Sequence, residues 1–269
     1  MPRTTRCTKP TSNPQGGGLD VEALLGPMAD RRSDEGFLIQ ASLHLVEHFL
    51  QEPESLSRLD KAPIVTTIMR AMQDHPQNAS LQANLLAVIG QCLQDSRPYL
   101  NLFIREGGME LVLAAITRHK TSLQVQMNAC MMLSLAEDDI LALRQTTTRA
   151  LARAVVAAMD YHVQYIPGTG DNKNAHDEAG NEMKTCALID PETNQLVNVA
   201  TLDAVAGVMQ VMALLKMLME TLTRLKSEMD QAIADESIAA VVKVMRACAS
   251  EEVLQACGCH AISELATVA

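Results

Sequence analysis

The sequence predicts an all-α protein that stacks similar helical units into a solenoid, about four to five of them. Three observations carry this. First, 48% of the 269 residues are hydrophobic but only 2% are aromatic and none is Trp. Ala, Leu, Val and Met therefore supply the core; most of these form helices well, and unbranched Met fills gaps between helices. Second, one phrase recurs: NASLQANLLAVIGQCL (78–93), TSLQVQMNACMMLSLA (121–136) and EEVLQACGCHAISELA (251–266). Third, the recurrence has a period. Leu38 to Leu81 spans 43 residues and Leu81 to Val125 spans 44, within the ~40–47-residue range of helical solenoid units.

The elements follow in order. Residues 1–33 are rich in Pro, Gly and Thr and read as a flexible tail; residues 34–269 form the helical body. The body opens with LIQASLHLVEHFL (38–50), which has a helical apolar period. A shorter helical phrase precedes each long one: IVTTIMRAM (64–72), MELVLAAI (109–116) and AAVVKVMRAC (239–248). Ile166 to Gln195 is dominated by Gly, Asn, Asp and Pro, without helical period. It reads as an exposed loop inserted between two helices of one unit, and a further long helix is expected to begin near Leu202. The apolar run Ala204 to Leu215, closed by Asp203 and Lys216, falls short of the ~20 residues that cross a bilayer, so it reads as a buried helix.

FIREGGMELVLAAI (103–116) resembles the armadillo repeat, in which a short helix ends, a Gly pair turns the chain and a second helix begins. VQMNACMMLSLA (125–136) and LQACGCHAISELA (254–266) resemble that repeat's third helix. The resemblance covers about 60–136 and 236–269 well and 35–59 more weakly. It implies a right-handed solenoid whose third helices line a concave groove, and a non-catalytic module that binds protein or peptide along it. Members that hold extended peptides use a Trp and, four residues on, an Asn. The matching positions here are His44 and His48, Ala87 and Gln91, Met131 and Leu135, and His260 and Glu264, so no such pair is retained and that grip is not carried over. The groove face is expected to present His44, His48, Gln91, Met127, Met131, His260 and Glu264. Met127 and Met131, one turn apart, either form an apolar stripe for a partner or pack against the neighbouring third helix.

A competing reading is enzymatic. His44-Leu45-Val46-Glu47-His48 spells the His-x-x-Glu-His pattern of some zinc proteases, and a zinc-dependent hydrolase would use His44, Glu47 and His48. Such a site needs a third protein ligand and an open water position. The register of the repeat accounts for two polar residues at these positions without metal. Cys257, Cys259 and His260 lack a second ligand pair, and Asp171 to Glu178 lacks the Gly and closing Glu of a calcium hand. No phosphate-cradling Gly loop or Ser nucleophile elbow is present. The reading is therefore of a protein that is not an enzyme and needs no cofactor.

The net charge is −10. Residues 1–18 hold three basic residues and no acid, so the remainder carries −13. Such a body repels phosphate backbones, which argues against nucleic acid and favours a protein or peptide of basic character. Seven scattered cysteines suit a reducing compartment and a cytoplasmic location; Cys130, Cys248, Cys257 and Cys259 read as small core residues. No polar capping helix follows the last long phrase. Leu254, Ile262 and Leu265 are thus expected to leave an apolar face at the C-terminal unit, open to a partner or to self-association.

Overall fold

The computed structural model describes residues 20–94, 96–136, 145–163 and 204–268. The expected insertion 166–195 and the first 19 residues lie outside them. All regular elements among the described residues are helical: α1 (Val21–Asp30), α2 (Glu35–Gln51), α3 (Pro53–Arg58), α4 (Lys61–Asp74), α5 (Ala79–Leu93), α6 (Arg97–Arg105), α7 (Gly108–Arg118), α8 (Leu123–Leu135), α9 (Gln145–His162), α10 (Ala204–Leu225), α11 (Gln231–Ala247) and α12 (Glu252–Leu265).

The helices pack in two rows. In one, α2 lies on α5, α5 on α8, α8 on α10 and α10 on α12; in the other, α1 lies on α4, α4 on α7, α7 on α9 and α9 on α11. Rungs join the rows: α1 with α2, α4 with α5, α7 with α8, α9 with α10, and α11 with α12. Leu38, Leu81, Val125 and Leu254, the positions that set the period, are all buried in the shared core.

The recurring phrase has a hydrogen-bonding reason. A helix leaves its last carbonyls without partners, and the three copies of the phrase each supply one amide to meet two of them. Gln82 Nε2 donates to the carbonyls of Met72 (2.9 Å) and His75 (3.0 Å) at the end of α4. Gln126 does the same for Ile116 (2.9 Å) and His119 (3.1 Å), and Gln255 for Met245 (2.7 Å) and Cys248 (3.0 Å). The starts of the first three long helices are also in register. Asp34, Asn78 and Ser122, 44 residues apart, cap α2, α5 and α8 by accepting from Phe37 (2.9 Å), Leu81 (3.0 Å) and Val125 (3.5 Å).

Other side chains cross the seams between units. Asn84 donates to the Ile39 carbonyl at 3.4 Å and Asn128 to the Ala83 carbonyl at 2.9 Å, tying α2 to α5 and α5 to α8. His75 meets the Arg32 carbonyl, His119 meets that of Pro76 at 2.9 Å, and His162 is bonded to the backbone of Lys120. His75 also lies 3.0 Å from Glu35, whose second oxygen accepts from Asn78 at 2.6 Å.

The glycine pair acts as the sequence suggests, by two mechanisms. Gly107 takes φ 85°, which L side chains rarely adopt. Gly108 faces the Phe103 ring so closely that a Cβ would lie 2.4 Å from it.

Three expectations need correction. The tail does not extend to residue 33, because α1 occupies Val21–Asp30. Asp20 caps it, and Val21, Leu24, Leu25 and Met28 recur at helical spacing and are buried, despite Gly26 and Pro27. The C-terminal unit exposes less apolar surface than expected. Leu254 and Leu265 are buried where α12 meets α10 and α11, Ile262 is half-buried, and the large hydrophobic residue left open is Val253, at 62%. Finally, Cys130 and Cys248 are core residues, but Cys257 is half-buried and Cys259 exposed, because one helical face cannot bury both.

Candidate partner groove

The groove positions lie on the row α2, α5, α8, α10 and α12, but they do not share one exposure. On α2, His44 is half-buried, while His48 is only 9% exposed, with its ring 5.7 Å from that of Phe49. On α5, Leu81 to Leu93 are all buried, Gln91 among them, because α5 is packed between α2 and α8 and against α4. Met127 on α8 is 3% exposed and belongs to the core. Met131 and Leu135 are half-buried, His260 is exposed, and Glu264 is half-buried and ion-paired with Lys226. His48, Gln91 and Met127 thus face packed helices. His44, Met131, His260 and Glu264 reach the surface.

The face opens between α8 and α10, where a cleft of about 240 Å3 is lined by Met131 and Ser134 on one wall and Lys216, Met217, Glu220 and Arg224 on the other. Lys216, Glu220 and Arg224 follow one another at four-residue steps, which aligns them along one side of α10. Ser134 donates to the Met131 carbonyl at 2.7 Å, leaving its oxygen to accept. Lys216 makes no ion pair with any described residue. Glu220 has the Cys257 thiol 4.0 Å away, a weak donor. The α10 wall was not identified from sequence, since no repeat phrase could be matched across residues 166–195. Its signal was present in KMLMETLTR, three charges at helical spacing within an apolar run.

The electrostatics of the cleft do not prepare a nucleophile. Burial pushes the Cys130 thiol up to about 12, against a hydrogen bond from Thr221 that lowers it. Burial and then the Glu220 carboxylate also raise Cys257. Both thiols are held protonated, and the thiolate is the reactive form. Glu264 is lowered by its hydrogen bond to Lys226 and keeps its charge. Along α2, His44 and His48 offer two nitrogens, and among the described residues no group of three or more His, Cys, Asp or Glu is placed to hold a metal ion. No helix among them is long and apolar enough to cross a membrane.

A scan against protein-family models and searches of the curated proteins and of the solved structures find no match to this chain.

Proposed function

We propose that the chain is a non-catalytic protein-interaction module: a right-handed solenoid of armadillo-like units, one carrying a long insertion, that binds a protein or peptide segment along its long-helix row. The observation that carries this reading is the cleft between α8 and α10. It includes Met131, one of the expected groove positions, and it combines methionines with charged groups. Extended interaction surfaces of this kind arise where each unit packs only on its neighbours, as the two rows of helices do here. The zinc-hydrolase reading has less support, since His44 and His48 find no third ligand among the described residues.

The test is selection of a random-peptide phage library on the full chain, followed by affinity measurement on Ser134→Arg, which fills the cleft. Enriched peptides should lose most of their affinity for that variant while its melting temperature stays within a few degrees of the parent. Absence of enrichment, or peptides indifferent to Ser134→Arg, would overturn the proposal.

A further inference from the structure

The cleft's own charges say what kind of segment it takes. The body of the protein is strongly acidic, at −10, and that field acts on the long-range approach of a partner. Contact is governed by groups within a few ångströms, where screening and competition from water are weaker. There a cation is at hand: Lys216 lines the cleft one helical turn from the Glu220 carboxylate. Lys216 is half-buried and unpaired among the described residues, so part of its hydration has been removed with no counter-charge in return. Beside Lys216, Glu220 and the Ser134 oxygen are acceptors suited to backbone N–H groups. Met131 of α8 and Met217 of α10 line the cleft as adaptable apolar side chains.

We infer that this cleft is a subsite for an extended peptide segment in which a carboxylate side chain lies next to an apolar one. The carboxylate sits at Lys216, the apolar side chain between Met131 and Met217, and the backbone amides at Glu220 and Ser134. This assignment rests on the groove reading given above. It differs from the expectation of a basic partner in that it concerns the bound segment, not the partner as a whole.

Peptides selected from the random library on the wild-type chain should be enriched in Asp or Glu beside Leu, Ile, Met or Phe. Their affinity should fall about tenfold or more on Lys216→Glu, as expected for loss of a partly buried ion pair replaced by repulsion. Met217→Ala should weaken them less, and raising the salt should weaken binding to wild type but hardly to Lys216→Ala. Selection repeated on Lys216→Glu should shift the enriched composition towards Lys and Arg. All three variants are read alongside their melting temperatures. Peptides that are blocked by Ser134→Arg yet carry no acidic bias and ignore Lys216→Glu would overturn this inference and leave the groove reading standing. No selected peptides, or peptides indifferent to Ser134→Arg, would overturn both. Sedimentation showing a dimer that Ser134→Arg abolishes would make a second copy the occupant and also overturn the inference.

Discussion

The first three long helices and the last one solve the same packing problem with different chemistry. Among α2, α5 and α8, side-chain caps recur in register at the helix starts, and asparagines and histidines bond across to the preceding unit. In the final unit the corresponding places hold other residues. Glu251 stands where the caps were and makes no side-chain cap; Cys248 stands where His75 and His119 were; Cys257 stands where Asn84 and Asn128 were. Only the glutamine clamp persists, through Gln255. Apolar burial with the surface ion pairs Lys226–Glu264 and Lys243–Asp160 therefore stacks this unit without those ties. The polar ties add specificity of register, since a buried amide finds its acceptor at one alignment and not one residue away.

The largest effect expected is of pH on the seam between α7 and α9. Burial lowers the His162 pKa from 6.5 to about 4, against a backbone hydrogen bond to Lys120 that raises it. As pH falls below 6.5 the unfolded chain takes the proton first, so stability present above 6.5 is lost progressively towards pH 4. The loss is on the order of 3 kcal/mol. His119, lowered mainly by burial, acts in the same direction. At the α2–α5 seam the carboxylate of Glu35 is lowered, first by Asn78 and then by His75, so its contribution is lost only as pH falls below about 4.5. Hydrogen exchange at pH 7, 5.5 and 4.5 should show α9 loosening before α2. Simultaneous loosening would remove the distinction.

Replacing a cross-seam tie should separate the two regions next. Asn128→Ala deletes a fully buried donor and should cost about 2 kcal/mol, whereas Cys257→Ala should cost under about 1, both by urea titration. Gln126→Ala should cost about 1.5 kcal/mol, and Gln255→Ala less, because Gln126 is buried and Gln255 half-buried where water can replace it. The smallest effect is a gain. Glu251→Asp should supply the missing cap of α12 and stabilise by about 0.5 kcal/mol, where Asn78→Ala should cost about 1. A loss from Glu251→Asp would show that the final unit is shaped differently at that turn.

Much of the architecture was legible because the repeat imposes the same burial at the same interval. Leu38, Leu81 and Val125 revealed the period, and Gly107 and Gly108 revealed the corner. Helix α1 was missed because Gly26 and Pro27 outweighed an apolar spacing that the cap at Asp20 confirms. The site was harder to read. Helical register tells which residues share a face but not whether another helix covers that face. Gln91 and Met127 lie on long helices as expected but are buried by their neighbours, while Lys216 and Glu220 follow residues 166–195, across which no register could be counted.

The acceptors in these ties have a consequence of their own. Asn84, Asn128, His75 and His119 all address main-chain carbonyls of the preceding unit: Ile39, Ala83, Arg32 and Pro76. A carbonyl is supplied by every amino acid, so substituting the receiving residue leaves the bond's target in place. Each of these bonds thus constrains the identity of one residue, not two. Sequence change on the receiving side is free of the donor's chemistry so long as the helix keeps its path. As far as these four bonds go, a unit can diverge without a compensating change in its neighbour; the Glu35 carboxylate, which meets the side chains of His75 and Asn78, is the counter-example that ties two identities together.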